Sequence, residues 1–286
     1  MSKNFAVIGD PIKHSLSPFI HNTLYEIYNL EATYHTLLIP KGRLQKDLPF
    51  LIKKYNLSGF NVTMPHKEAI IPLLTDISAA ASLANSVNTV NCDNRGLHAH
   101  STDAHGFIQA LKANGKDPQN LATVFLGSGG AAAALALHWT VIEKSPLTII
   151  ARSIEKASAI NEAISKQGGQ KALILPWNKE NICQALQKAS LLVNTTPLGM
   201  AGNKEDFTDL EFLANLPHHA LVFDLIYAPR QTALLQKARE LGYVTINGLD
   251  MLIYQAMESF SIMTGIKTSA KDKIIIEKAL AEQGLI

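Results

Sequence analysis

The segment Asn61-Val62-Thr63-Met64-Pro65-His66-Lys67 carries a strand-like run into a proline and puts an amine in the first of two turns of helix-like sequence. Helix starts attract acids, because their N–H groups are unpaired and carry partial positive charge. An amine at such a position is disfavoured as an ammonium, and partial burial disfavours it further. Those are the conditions for exchanging a proton during a redox reaction, since oxidising an alcohol carbon needs a partner that moves the hydroxyl proton. A carboxylate alongside would orient the amine and partly restore its charge. Asp103, in His100-Ser101-Thr102-Asp103-Ala104-His105-Gly106 just before a helix start, is the best-placed one. An amine and a carboxylate in one site form a single coupled acid–base unit. Taken singly, the two residues have plainer readings: a solvated surface lysine and an N-cap carboxylate.

A redox partner is written further along. Residues 121–137 read LATVFLGSGGAAAALAL, an apolar strand, a glycine turn and an alanine-rich helix. Gly127-Ser128-Gly129-Gly130-Ala131-Ala132 is GxGxxA in the strand-to-helix context that a dinucleotide site requires. Gly127 allows the tight turn, Gly129 lets the backbone approach a pyrophosphate, and Ala132 lets the helix sit close to the strand. The helix N-terminus then offers unpaired N–H groups to the phosphates. NAD sites commonly carry an acid at the end of the second strand, for the ribose hydroxyl. Here that strand ends Ile149-Ile150-Ala151, followed by Arg152, Ser153 and Lys156. Arginine pairs with a 2′-phosphate where an acid would repel it, so the pattern reads NADP. Glu155 is near but on a helical turn that can face solvent.

The elements that must position these groups alternate between strand and helix, the mark of an α/β protein with parallel sheets. In the first hundred residues the strand candidates are Phe5–Gly9, Thr33–Ile39, Gly59–Thr63 and Val87–Asn91. Leu44, Leu48, Leu51, Ile52 and Tyr55 form one buried helical stripe. A helix from about Asp103 to Asn114 ends at Asn114-Gly115. The second series predicts strands at 121–126, 147–151, 172–175, 190–194, 220–225 and 243–246. Its helices are predicted at 130–143, 154–166, 180–189 and 230–241. Two closing helices, about 250–263 and 270–283, are expected to fold back onto the first domain and make it discontinuous. The expected division is 1–106 plus 248–286 for substrate binding and 107–247 for a Rossmann-like nucleotide domain, with a weak boundary signal near 115–120.

Composition sets outer bounds. The 286 residues are 47% hydrophobic and 17% charged with a formal net charge of +2. That is globular composition, with too little charge and no basic run for nucleic acid or membrane binding, so any pull on an anion is local. Cys92 and Cys183 form no close-spaced motif, and neither a secretory leader nor a membrane-spanning stretch is legible. A cytoplasmic protein is the expectation.

NVTMPHK, with SLSP at 15–18, VNT at 87–89, TDAHG at 102–106, GSGGA at 127–131, ARSIEKA at 151–157, NTTPLGM at 194–200, DLIYAP at 224–229 and NGLDMLIYQA at 247–256, strongly resembles the shikimate dehydrogenase family. The blocks run in order over nearly the whole chain. The resemblance implies an NADP-dependent enzyme that interconverts 3-dehydroshikimate and shikimate in aromatic amino-acid biosynthesis. It further implies a discontinuous substrate domain and a Rossmann-like cofactor domain, with the active site in the cleft between them. Lys67 matches the family's catalytic lysine and Asp103 its paired aspartate. Ser15 and Ser17 match the pair that holds the substrate carboxylate, although two hydroxyls so spaced also suit a turn or helix cap. Thr63, Asn88, Tyr227 and Gln255 match polar groups that contact the substrate. Gln255 stands out independently, as an amide in an apolar helix that needs partners if buried and is ordinary if exposed. Gly127, Ser128, Gly129, Gly130, Ala131, Arg152, Ser153 and Lys156 match the phosphate and ribose-phosphate sites. Thr195 matches the loop beside the cofactor, and Leu225 and Gly248 match positions near the nicotinamide. Two departures are Asn85-Ser86, where glycine and alanine usually precede VNT, and Ala151, which replaces an asparagine that often precedes the basic residue.

Other readings stay open on residues alone. His98, His100, Asp103 and His105 are close enough to suggest a metal-dependent alcohol dehydrogenase, with His98 and His100 on one strand face. No cysteine joins them, and histidines near polar turns are usually solvated, so the site residues are read without a metal. A non-catalytic nucleotide-binding relative, or one that also takes quinate with NAD, would share most of these motifs. The partner expected is a small-molecule substrate, and the chain a monomer or homodimer.

Overall fold

The computed structural model describes residues 3–286, and the chain divides into two units. One is the chain up to Gly106 together with Ile253–Ile286; the other is Phe107–Leu252.

The first unit runs β1 (Lys3–Gly9), α1 (Ser17–Ile27), β2 (Ala32–Leu38), α2 (Leu44–Tyr55), β3 (Leu57–Val62), β4 (Asp76–Ile77), α3 (Ala79–Ala84), β5 (Thr89–Asp93), β6 (Gly96–His100) and the start of α4 (Asp103–Ala113). Its sheet has the order β2-β1-β3-β5-β6-β4. β1 is parallel to β2 and β3, whereas β5 is antiparallel to both β3 and β6. β4 is parallel to β6, so three of the five pairs have the parallel pairing expected here and two do not. The cause is local: Asp93 Oδ1 accepts from the N–H groups of Arg95 (2.8 Å) and Gly96 (3.2 Å), with Gly96 at a φ of 138°, and the chain doubles back as a hairpin. β4 and β6 are additions to the four predicted strands. The α2 stripe behaves as its spacing predicts: Leu44 and Leu48 are buried, and Leu51, Ile52 and Tyr55 pack against the same core as Ile8, Phe60 and Val62. Burying each such side chain contributes roughly 1.5–3 kcal/mol.

One expectation fails at a functional position. Residues 64–70 form successive turns, not an α-helix, and lead only to a short 3-10 turn at Ile71–Leu73. Pro72 has no N–H to give to Glu68, and the Glu68 carbonyl takes the N–H of Ile71 instead, at 3.2 Å. The helix-dipole argument for Lys67 therefore falls, and its surroundings must be built from other contacts.

The second unit contains β7 (Thr123–Leu126), α5 (Gly130–Val141), β8 (Leu147–Ala151), α6 (Ile154–Lys166), β9 (Leu173–Pro176), α7 (Lys179–Leu186), β10 (Leu191–Asn194), β11 (Leu221–Asp224), α8 (Ala233–Glu240) and β12 (Val244–Asn247). All six strands are parallel in the order β12-β11-β10-β7-β8-β9. Every residue of β7, β10 and β11 is buried, as expected of strands covered on both faces. Strand order reverses between β7 and β10, the switch point beyond whose strand C-termini sheets of this kind bind nucleotides. α9 (Gly248–Thr264) begins in this unit, but most of it and all of α10 (Ala270–Glu282) belong to the first.

Candidate active site

In the first unit, Lys67 follows β3 on a backbone pinned from three sides. The N–H of Thr63 bonds Ile8, the N–H of Val87 bonds the Lys67 carbonyl at 2.9 Å, and the buried His66 ring donates from Nε2 to the Ile39 carbonyl at 2.6 Å. The lysine Nζ then donates to Asp103 Oδ2 at 2.6 Å, with side-chain exposures of 30% and 15%. Asp103 is the first residue of α4, where a carboxylate is favoured by the helix dipole. Its second oxygen is not spent on capping the helix; it accepts from Asn88 Nδ2 at 3.0 Å.

Asn88 is buried and joins the pair to the rest of the unit. Its Nδ2 also faces Thr102 Oγ1 (2.9 Å) and Gln255 Oε1 (3.0 Å), while its Oδ1 accepts from the Thr102 N–H (2.9 Å). Gln255, on α9, is thus half-buried and turned into the polar cluster. Asn85 takes a φ of 46° as the C-terminal cap of α3. Asparagine tolerates that left-handed conformation better than most side chains, which accounts for its standing where the family usually has glycine.

The structure bonds Lys67, Asp103, Asn88 and Gln255 into one cluster. Ser15, Ser17 and Thr63 lie outside that network in the same unit, all half-buried. The Ser17 N–H, at the start of α1, donates to Ser15 Oγ at 3.2 Å, a local turn before the helix. The N-cap position is Leu16, with no side-chain cap bond, so of the two plainer readings of this pair the structure has the turn. Tyr227 lies in the other unit, beyond β11, where burial pushes its hydroxyl above the usual tyrosine range.

On the nucleotide side the glycine turn has the required shape. Gly127 has a φ of 110°, and a Cβ there would come within 2.8 Å of Thr196 Cγ2 and 2.9 Å of Thr195 Oγ1. Cβ atoms at Gly129 and Gly130 would meet nothing within 4 Å, so the mouth of the α5 N-terminus is open, and no side chain caps it. Ala132 is fully buried against the sheet. These features fit a pyrophosphate. Thr195 is fixed by its hydroxyl on the Leu126 carbonyl (2.7 Å), and a side chain at Gly248 would run into the Leu225 carbonyl. Ser128 Oγ donates to the Ser153 carbonyl at 3.4 Å. Ser153 accepts from the Lys156 N–H at 3.3 Å as the N-cap of α6, a structural use alongside the expected one. Arg152, Lys156 and Glu155 are exposed, and Ala131 is too. Arg152 is 3.6 Å from Glu205, a carboxylate on the loop after β10 that sequence reading did not single out.

Beneath the same loops Asp224 is fully buried. It accepts from Thr232 Oγ1 (2.6 Å), Asn194 Nδ2 (3.0 Å) and the Ile226 N–H (3.1 Å). Burial raises it to about 6 despite those three donors. The histidines near Asp103 have other partners. His98 is held between Asp76 (2.6 Å) and Asp93 (2.9 Å), whose carboxylates raise it above the ordinary imidazole range, so it is a strand tie rather than a solvated ring. Burial lowers His100, and His105 lies 3.7 Å from Glu258. Among the described residues no group of three or more His, Cys, Asp or Glu side chains is placed to hold a metal ion.

Comparison with known proteins agrees with this geometry. Residues 7–90 match the family profile described as the shikimate dehydrogenase substrate binding domain, and residues 248–271 match the shikimate 5'-dehydrogenase C-terminal domain. A shikimate dehydrogenase (NADP(+)) of Staphylococcus epidermidis is 35% identical over 283 residues, which is 97% of this chain and 99% of the relative. The crystal structure of shikimate 5-dehydrogenase from Thermus thermophilus, in complex with NADP(H) and shikimate, superposes with a TM-score of 0.84 at 29% identity, covering 98% of this chain and 99% of that one. Shikimate 5-dehydrogenase from Listeria monocytogenes, in complex with shikimate and NAD, gives 0.85 at 30% identity, covering 96% of each chain.

Proposed function

The chain belongs to the shikimate dehydrogenase family, and on that premise we propose that it catalyses the reversible, NADP-dependent interconversion of 3-dehydroshikimate and shikimate, a step of aromatic amino-acid biosynthesis. The observation that carries the reading is the amine–carboxylate contact of Lys67 and Asp103 at 2.6 Å, half-shielded from water and backed by Asn88. When bound, NADP(H) supplies or accepts the hydride. Lys67 gives a proton to the oxygen of the reduced carbonyl, or takes one from the hydroxyl in oxidation, and an ammonium beside developing negative charge stabilises it directly. Asp103 orients the amine and carries the compensating charge.

Asn88 and Gln255 present amide groups to the substrate hydroxyls, Ser15 and Ser17 hold its carboxylate, and Thr63 and Tyr227 complete the binding set. Gly127 to Ala131 cradle the pyrophosphate at the α5 N-terminus, and Arg152, Ser153 and Lys156 hold the 2′-phosphate. Thr195, Leu225 and Gly248 shape the nicotinamide end. Residues 1–106 with 248–286 form the substrate-binding part and 107–247 the nucleotide-binding part. The enzyme works in the cytoplasm as a monomer or homodimer, on a small molecule and without nucleic acid or membrane.

Initial rates with shikimate and quinate, each with NADP⁺ and NAD⁺, test the assignment. Shikimate with NADP⁺ is expected to have the highest kcat/KM; a preference for quinate with NAD⁺, or no turnover with any pair, overturns it.

A further inference from the structure

Below Asn88 lies a group of buried hydroxyls that touch neither Lys67 nor Asp103. Ser259 on α9 is 0% exposed, and its Oγ is 2.6 Å from Thr89 Oγ1, 3.1 Å from Thr102 Oγ1 and 3.0 Å from Asn61 Nδ2. Asn61, in β3, also donates to the Asn88 carbonyl at 2.9 Å and accepts from the Tyr34 hydroxyl at 2.6 Å.

These bonds converge on Asn88 from two sides. A hydroxyl has one hydrogen and two lone pairs, and an amide nitrogen only donates. Thr102 gives its hydrogen to the Gln255 carbonyl at 3.0 Å and accepts from Asn88 Nδ2 at 2.9 Å. Thr89 Oγ1 gives its hydrogen to Asn88 Oδ1 at 3.1 Å and accepts from Asn61 Nδ2 at 3.2 Å, so Ser259 joins the two threonines that hold the Asn88 amide from either side.

The consequence reaches the acid–base pair through Asn88. Its Nδ2 has two hydrogens and three acceptors within 3.0 Å: Thr102 Oγ1, Asp103 Oδ1 and Gln255 Oε1. Thr102 Oγ1 is the nearest of the three at 2.9 Å, so the placement of Thr102 sets how the Asn88 amide is turned toward Asp103 and Gln255. Without the serine hydroxyl, Thr89 and Thr102 lose the atom that joins them, and the amide held between them turns away from Asp103.

We propose that Ser259 is a positioning residue for the reaction: its buried hydroxyl ties Thr89 to Thr102, the two side chains that hold the Asn88 amide, and so keeps Asn88 aimed at Asp103 and Gln255. The proposal rests on the reading of Lys67 and Asp103 as the acid–base pair, and the experiment separates the two. Ser259→Ala is expected to lower kcat by about tenfold, the worth of one hydrogen bond, to displace the pH profile of kcat, and to leave KM for NADP⁺ unchanged. Ser261→Ala is the control, since that hydroxyl on the same helix bonds only back to Met257 at 3.0 Å; it should behave as wild type. If the alanine variant does not fold, Ser259→Cys keeps the volume and carries the same test. Wild-type kcat in the Ser259 variant, or a lower kcat with an unmoved pH profile, overturns the proposal. Lys67→Ala retaining turnover would instead overturn the reading beneath it.

Discussion

The candidate sites of the two units are built from opposite materials. On the proposed substrate side, the reading rests on side chains that hold one another: Lys67 on Asp103, Asp103 on Asn88, Asn88 on Gln255, with Thr102, Ser259 and Asn61 behind them. On the nucleotide side it rests on side chains that are missing, at Gly127, Gly129 and Gly130, with a helix N-terminus left uncapped. A proton-moving group must be aimed at one atom, and only a network of directional bonds does that. A pyrophosphate needs approach and partial positive charge, which a bare backbone supplies.

The contrast is broken most severely by paired substitutions. Lys67→Ala should lower kcat by about 10³-fold, within the usual contribution of a general acid–base group, with NADP⁺ binding preserved. Gly127→Ala, forced at a φ of 110° against Thr195 and Thr196, should raise KM for NADP⁺ and leave the KM for shikimate in place. Steady-state kinetics with both substrates varied checks the pair, and if each change altered both constants alike the division would not stand.

A pH effect comes next, from His21 on the substrate side. His21 is buried and stacked on Tyr34 with ring centroids 4.4 Å apart, and burial, opposed only by the nearby Asn61 side chain, lowers it from 6.5 to about 3. The fold thus favours the neutral ring. That stability is fully present above pH 6.5 and is lost as the pH falls from 6.5 toward 3, at about 1.4 kcal/mol per pH unit. Asp224, raised to about 6, favours the fold as the pH falls through the same range. The His21 loss is therefore read as the difference between wild type and His21→Phe, which keeps a ring on Tyr34, in urea unfolding at about pH 7 and about pH 4.5; the variant should lose less stability.

The smallest effect probes the nucleotide side. Arg152 is exposed and its ion pair with Glu205 is a surface one, so electrostatics there are screened. Arg152→Ala should raise KM for NADP⁺ by about tenfold, the worth of one charge-assisted contact, and that for NAD⁺ far less. Equal changes would remove Arg152 from the 2′-phosphate.

How much of this was legible in the sequence follows the same division. Gly127-Ser128-Gly129 and the strand before it announce their use locally, because a glycine turn after an apolar strand has few other purposes. Lys67 and Asp103 could be named as candidates from their neighbours. The reason given for Lys67 failed, however, because Pro72 prevents the helix that the pattern suggested. Ser259 carried no signal, and Asn61 and Thr102, though inside the NVTMPHK and TDAHG blocks, carried none for this network. A serine in an apolar helix and an asparagine in a strand look like ordinary surface residues until the sheet and α9 close over them. Glu205 and β6 were missed for a similar reason, since each depends on a loop whose course periodicity does not encode.

The order of strands and helices, the glycine cradle and the types of the reacting groups were set by the chain itself, because backbone preference and hydrophobic period act over a few residues. Folding alone decided which donors meet which acceptors. Residues 61, 88, 102 and 259 come within 3.1 Å of their partners only when distant segments pack, and burial then turns each unmade bond into a cost.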